Sequence, residues 1–246
     1  MKMILNRTSS ETAFTRLDLA MVLAALGLLS GIAWPVLAGN KQRSEQVSCV
    51  GNLRQVGRAV QLWGNDHEDR TPWFTPVVEG GTRRSMDPLK NNAFFQIGAL
   101  SNELVTPKML VCPSDVGVGA PRKMASNFSA TDPNGGFFTL GYHNAALSYV
   151  IDLHSYFWLP RYVLSGDRNI QWDSANANCA LGVSGATMAN GSPHQVDIYW
   201  TNAIHGETGN ILYTDGSVEQ LSTTGLRRAI GSPYLDDNCV YHFMNP

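Results

Sequence analysis

The chain has 246 residues, a formal net charge of −2 and a charged fraction of 15%. This length is sufficient for a buried core, and the low charge combined with 9% aromatic residues excludes a wholly disordered chain. The net charge is close to zero and predicts no basic surface for nucleic acid, so we expect no nucleic-acid partner.

The N-terminal part of the chain contains one long apolar segment. Residues 19–38 carry no formal charge, and Asp18 directly precedes them. A helix of about 20 residues spans the roughly 30 Å hydrocarbon core of a bilayer. No comparable segment follows, so we predict one membrane segment and, after it, a globular region.

Three interpretations of this segment differ in the mature N-terminus that they predict. A cleaved secretory signal gives a start near Gly39, and a permanent membrane anchor keeps Met1. The third interpretation places cleavage between Ala13 and Phe14, which leaves the whole apolar helix in the mature protein.

The same segment resembles the N-terminus of type IV pilins and type II secretion pseudopilins. Phe14 and Thr15 match the residues that follow the cleavage site, and Asp18 stands where these families have Glu. Pro35 stands where many of these helices have a kinking proline, and Ala13 replaces the usual Gly. The resemblance implies cleavage by prepilin peptidase, N-terminal methylation and assembly into a filament.

Asp18 and Pro35 are the expected assembly residues. A carboxylate at the edge of a bilayer is costly and should have a partner, which the freed amine of Phe14 on a neighbouring subunit would supply. The alternative is that Asp18 is only interfacial and reaches the lipid headgroups. Pro35 removes one intrahelical hydrogen bond, so we expect a bend there.

After the apolar segment the chain continues as an amphipathic helix. Apolar residues recur at steps of three and four, which places them on one face that packs on a globular domain; they are Val50, Leu53, Val56, Val60 and Trp63. We expect this helix to end near Asp66, before Pro72.

Further stretches resemble a subgroup of pilin-like proteins that have large C-terminal domains. They comprise residues 48–57, residues 112–115, residues 166–169, and a tail in which His205 is followed by Asp215-Gly216. With these stretches the resemblance extends over most of the chain.

Four cysteines lie far apart in the sequence and include no Cys-x-x-Cys pair, which argues against a zinc site. An exported domain can form up to two disulfides, and buried free thiols are the alternative. Cys49 and Cys112 both fall in stretches that carry the resemblance, and on that ground we expect them to pair and to clamp the helix to the domain.

Residues 69–246 have the composition of an antiparallel sheet with long loops. The clearest local element is a hairpin within residues 210–221, where two alternating strands flank Asp215-Gly216. Asp-Gly favours a tight two-residue turn.

His205 and Asp215 allow two interpretations. They meet to hold a metal or ligand, or Asp215 serves the turn while His205 bonds nearby backbone; we favour the second because turn chemistry explains Asp-Gly. We expect no cofactor. Oxygen-rich turns that are an option for calcium contain Asp167, Asp173 and Asp236-Asp237-Asn238. Their spacing matches no established calcium loop, so we favour solvated turn acids at these positions.

No hydrolase, metalloprotease or phosphate-binding motif is present, so we predict that the chain is not an enzyme.

One stretch is rich in aromatic residues. They either form a binding surface or belong to the core, and usual burial preferences favour the core. They are Tyr156, Phe157, Trp158, Tyr162 and Trp172.

Together these features predict an α+β, pilin-like fold in which a long N-terminal helix packs on an antiparallel β-sheet domain. The predicted parts are a leader (1–13), a membrane and assembly half of the helix (14–38), an amphipathic half (39–68) and a globular domain (69–246). The expected function is that of a minor pilin or pseudopilin in a bacterial pilus-like or type II secretion-like filament. The alternative is a single-pass anchored envelope protein that binds a ligand without polymerising.

The expected location and partners follow from the same resemblance. The helix would span the inner membrane once, with the C-terminal domain in the periplasm and later in a filament or on the cell surface. The expected partners are prepilin peptidase, other pilin or pseudopilin subunits and the inner-membrane assembly platform.

Overall fold

The structure is a computed structural model that describes residues 16–116, 122–157, 161–172, 188–189, 198–230 and 243–246. For residues 31–42 and 188–189 it describes the backbone only. The chain divides into two compact units, Met1–Ser44 and Glu45–Pro246. The secondary structure combines helices with an antiparallel sheet, so the α+β class predicted from the sequence is correct.

The first helix, α1 (Arg16–Asp66), begins with Asp18 in its first turn and is helical through Pro35. The predicted bend at Pro35 and the side chains of residues 31–42 lie outside the described part of the structure. Within the described residues, no helix has both the length and the hydropathy that a membrane crossing requires.

The part of α1 that belongs to the second unit buries the stripe expected from the sequence. Leu53, Val56 and Val60 are at most 2% exposed, whereas Arg54 and Arg58 on the opposite face are exposed. The three- and four-residue spacing places these apolar side chains on one face, and the helix buries that face against the domain.

Among its described residues the second unit adds two short α-helices and eight strands. The helices are α2 (Ala93–Gly98) and α3 (Thr223–Ile230). The strands are β1 (Tyr149–Asp152), β2 (Val163–Asp167), β3 (Ile170–Trp172), β4 (Met188–Ala189), β5 (Ile198–Trp200), β6 (Thr208–Tyr213), β7 (Val218–Ser222) and β8 (Phe243–Met244).

Six of these strands form one antiparallel sheet in the order β4-β8-β1-β2-β6-β7, and β3 pairs with β5 in a second, two-stranded sheet. In the larger sheet Tyr149 of β1 lies opposite Asp167 of β2. The register between β2 and β6 shifts between Val163 and Ser165.

The larger sheet separates two hydrophobic clusters because successive side chains of a strand point to opposite faces. Leu212 of β6 packs in the cluster that contains the buried face of α1, whereas its neighbours Ile211 and Tyr213 pack in the other. The second cluster also contains Trp200 of β5 and Leu226 of α3.

Gly57 of α1 allows a close approach to the sheet. A Cβ atom at this position would lie 2.9 Å from Leu212 Cδ1. The absence of a side chain therefore lets the helix backbone lie against β6.

The predicted hairpin is present as β6 and β7, but its turn differs from the predicted one. The amide of Gly216 donates to the Tyr213 carbonyl and the amide of Tyr213 donates to the Ser217 carbonyl, both at 2.9 Å. The loop therefore has three residues, and only its last, Gly216 (φ +82°), is left-handed. The prediction of a two-residue turn was wrong because Asp215 takes an ordinary turn conformation and Gly216 takes the bulge position that follows it.

Candidate functional site

The N-terminal part of α1 exposes large apolar side chains on every side of the helix. Leu28 is 72% exposed, Leu17 67% and Leu29 64%. Met21, Val22 and Leu23, which are consecutive and therefore point in three directions, are all at least 47% exposed. A helix without a polar face needs an apolar environment, either lipid or other helices.

Asp18 lies in the first turn of this helix and is half-buried. A carboxylate in the first turn interacts favourably with the partial positive charge of the helix N-terminus, so Asp18 has a stabilising role even in a single chain. The expected processing residues Ala13 and Phe14 lie outside the described residues, so the structure gives no geometry for the cleavage site.

In the second unit, stretches that are remote in sequence meet in one buried cluster beside α1. Cys49 of α1 and Cys112 form a disulfide, with Cα atoms 5.0 Å apart, and this is the pair that the resemblance implied. Both cysteines are fully buried. Asn52, one turn after Cys49, donates from Nδ2 to the Val111 carbonyl at 3.1 Å. This pair of contacts fastens the helix to the loop before residues 113–115.

His205 lies against the disulfide from the loop between β5 and β6. Its Nε2 atom is 3.5 Å from Cys112 Sγ and 3.4 Å from Oδ2 of Asp167, at the end of β2. The loop is held by Thr208, whose hydroxyl donates to the His205 carbonyl at 2.7 Å. Asn169 adds two hydrogen bonds from its Nδ2, to the carbonyls of Thr201 and Thr208.

Burial controls the protonation of this cluster. It raises the pKa of Asp167 to about 7, although the backbone and side-chain amides of Asn210 donate to Oδ2 at 2.7 and 2.8 Å and act in the opposite direction. Burial also lowers the pKa of His205, against the charges of Asp115 and Glu45. Tyr149, opposite Asp167, has a pKa raised by burial and by the charge of Asp167. The site therefore disfavours charge on each of these groups.

A second buried carboxylate next to this cluster is compensated by arginines. Asp115 is fully buried and accepts hydrogen bonds from Nε and Nη2 of Arg168, and Arg122 Nε lies 3.4 Å from its Oδ2. Burial, together with the charge of Arg168, lowers the pKa of Arg122. This ion-pair network joins the 112–115 stretch to the 166–169 stretch.

The structure does not bring His205 and Asp215 together. Asp215 lies exposed in the hairpin turn, where its Oδ1 accepts from the Ser217 amide at 2.8 Å. His205 is buried beside the disulfide, and no hydrogen bond or ion pair between described residues joins it to Asp215. The turn itself lies against α1, where Gln61 donates to the Thr214 carbonyl at 3.4 Å.

The expectation that Asp167 is a solvated turn acid was wrong. Its side chain is fully buried, and it faces a histidine and an asparagine in place of water. The other candidate calcium residues, Asp173 and Asp236-Asp237-Asn238, lie outside the described residues.

One group of side chains in the described part of the chain brings three possible metal-ligand atoms close together. The ligand atoms of Cys49, Cys112 and His205 all lie within 4.8 Å of one another, and all three residues are buried. The sequence argued against zinc because no two cysteines are close in the chain, yet the fold brings two of them together across 63 residues.

The aromatic stretch divides between core and surface. Tyr162 and Trp172 are buried, and Trp158 lies outside the described residues. Tyr156 lines an open cavity of about 230 Å³ near the end of α1 together with Phe74, whose ring centroid lies 4.6 Å away. Arg70 and Arg83 also line this cavity.

The sequence assigned no role to Asp115 or Arg168 and did not predict the buried contacts of Asp167, although each lies in a stretch that carries the resemblance. A signal was present, because acidic and basic residues occur in short stretches that otherwise contain small and turn-forming residues.

Comparison of the chain with family models, curated proteins and solved structures finds no match.

Proposed function

We propose that this chain is a pilin-like subunit, a minor pilin or pseudopilin, of a type IV pilus-like or type II secretion-like filament. Its N-terminal helix inserts in the inner membrane, prepilin peptidase cleaves between Ala13 and Phe14, and the assembly platform adds the subunit to the filament. The proposal rests on the resemblance of the N-terminal segment and on the surface of α1.

The observation that carries the proposal is the apolar surface of α1 between residues 17 and 29, which has no polar face. Exposed patches of this kind mark membrane or protein contacts. Lipid would cover this surface before assembly, and helices of neighbouring subunits would cover it afterwards.

The buried cluster supports the same function, because a displayed domain must be firmly attached to the helix that assembles. The Cys49–Cys112 disulfide, the buried stripe and the contact of Gln61 with the hairpin attach residues 49–61 of α1 to the sheet. The open cavity lined by Tyr156, Arg70 and Arg83 is then a surface available for partner recognition.

Asp18 distinguishes filament assembly from the alternative, a permanently anchored envelope protein. In a filament the Asp18 carboxylate would pair with the Phe14 amine of a neighbouring subunit. Asp18→Ala leaves that amine without its partner, at a cost on the order of 2–3 kcal/mol in an apolar environment. Incorporation into sheared filaments should then fall by at least about tenfold, while the amount in the membrane fraction stays unchanged.

The matched variants separate loss of pairing from loss of folding. Asp18→Glu keeps a carboxylate and should retain incorporation, and Asp66→Ala removes an exposed carboxylate at the other end of α1 and should behave as wild type. The measurement is the ratio of the protein in sheared-surface and membrane fractions. Wild-type incorporation of Asp18→Ala would contradict filament pairing and favour the anchored protein.

A further inference from the structure

The buried cluster beside α1 has the donor set of a soft-metal site. Cys49, Cys112 and His205 are each at most 4% exposed, and their ligand atoms lie within 4.8 Å of one another. Asp167 Oδ2 lies 3.4 Å from the same histidine nitrogen, but it already accepts two hydrogen bonds from Asn210 and is not one of the grouped atoms. Two thiolates and one imidazole are ligand types that Zn²⁺ accepts, with water in the fourth tetrahedral position.

One distance in the group corresponds to an edge of such a tetrahedron. With Zn–N of about 2.0 Å and Zn–S of about 2.3 Å, a tetrahedral ion holds nitrogen and sulfur about 3.5 Å apart. His205 Nε2 lies 3.5 Å from Cys112 Sγ. Two thiolates would need a separation of about 3.8 Å, which the disulfide prevents.

We propose that the reduced chain binds one Zn²⁺ ion through Cys49, Cys112 and His205, and that the disulfide and the metal are alternative states of this site. A dithiol reductant transfers two electrons to the S–S bond, which breaks, and is itself oxidised to a disulfide. The two thiols lose their protons when they bind the metal, and His205 coordinates through the Nε2 lone pair with its proton on Nδ1. A disulfide-class oxidant takes the two electrons back, reforms the Cys49–Cys112 bond and releases the ion.

This site fastens the same elements in both states. Either the disulfide or the metal joins α1 to the loop that carries Cys112, and the metal also binds His205 of the β5–β6 loop. The helix would therefore be attached to the domain before the cysteines are oxidised. The proposal does not depend on filament assembly.

The test is metal titration of the full-length protein in detergent. The chain is reduced with a phosphine under anaerobic conditions and titrated with Zn²⁺ against a chromophoric chelator, and with Co²⁺ to detect tetrahedral and thiolate-to-metal absorption bands. We expect one equivalent bound by the reduced chain, thiolate bands with Co²⁺, and no binding by the oxidised chain.

Variants assign the ligands. Cys49→Ser should abolish the thiolate bands of the tight site, and His205→Asn should weaken binding by at least about tenfold. Cys179→Ser, Cys239→Ser and His143→Asn should leave binding unchanged. Far-UV circular dichroism of each reduced variant identifies any that fail to fold.

Three outcomes would overturn the proposal. One is a folded reduced chain that binds no Zn²⁺, and another is a chain that loses its fold on reduction whether or not Zn²⁺ is present. The third is binding that survives His205→Asn and Cys49→Ser but disappears when Cys179 or Cys239 is replaced.

Discussion

Cys49 in the middle of α1 and Cys112 are covalently joined although 63 residues separate them in sequence. The loop that this bond closes includes α2 and the segments that pack on the buried face of α1. The bond thus fastens the helix to the domain at the point where the buried stripe begins.

Removing this disulfide should lower stability substantially. In the chain-entropy description, cross-linking a loop of this length lowers the conformational entropy of the unfolded chain and so raises its free energy by about 4 kcal/mol. We expect Cys49→Ser combined with Cys112→Ser to lower the free energy of unfolding by about that amount in metal-free denaturant titrations. Cys179→Ser is the control, and an unchanged midpoint in the double variant would contradict the clamp.

The buried Asp115–Arg168 ion pair should contribute far more than an exposed one. Asp115→Asn leaves the largely buried guanidinium groups of Arg168 and Arg122 without a counter-charge, and breaking a buried pair costs about 3–5 kcal/mol. The control is Glu219→Gln, which breaks the exposed 2.6 Å pair with Arg161 and should cost less than about 1 kcal/mol. Urea denaturation measures both, and equal losses would show that burial of Asp115 has no energetic consequence.

Asp167 and His205 should give the oxidised protein opposite pH dependences. The folded pKa of Asp167, about 7, exceeds its ordinary value of 3.8, so its contribution to stability falls as the pH rises through that window. The pKa of His205 is lowered from 6.5, so its contribution falls as the pH drops below that value. Below about pH 6.5 the two effects oppose each other, because folding keeps a proton on Asp167 and removes one from His205.

Single variants should reveal the two slopes. In Asp167→Asn, the free energy of unfolding should decrease as the pH drops below about 6.5. In His205→Asn, it should decrease as the pH rises from about 4 to 7. Each slope should be at most about 1.4 kcal/mol per pH unit. Denaturation midpoints measured across this range test the prediction. Variants that both keep the wild-type profile would contradict the inferred protonation of the pair.

Gly209 and Gly51 should respond differently to alanine. A Cβ atom on Gly209 of β6 would overlap the indole of Trp200, whereas nothing lies within 4 Å of a Cβ on Gly51. Gly209→Ala should cost about 1–3 kcal/mol through overpacking, and Gly51→Ala should stabilise α1 by about 0.5–1 kcal/mol. Thermal unfolding compares the two, and a tolerated Gly209→Ala would contradict the close packing of the second sheet on β6.

Structural features that depend only on neighbouring residues could be predicted from the sequence. The stripe of Leu53, Val56 and Val60 and the hairpin around Gly216 depend on helical and strand periodicity and on turn chemistry, which act over a few residues. The details of the hairpin loop were not predicted, because Asp-Gly suits both a two-residue turn and a three-residue turn with a bulge.

The buried cluster could not be derived in the same way. Asp167, His205 and Cys112 come from three separate loops and strand ends, and only the fold brings them together. Charged residues are usually exposed, so a sequence gives no direct indication that Asp115 and Asp167 are buried. Their occurrence in stretches that resemble pilin-like proteins was the only signal, and it did not specify their contacts.

The most direct measurement of the central claim is the N-terminus of the mature protein. Intact mass and N-terminal peptide mapping should be carried out on membrane and sheared-surface fractions of the producing cells. The account predicts a chain that begins at Phe14 with an N-methyl group. A chain that begins at Met1, or near Gly39, would contradict pilin-type processing and filament assembly.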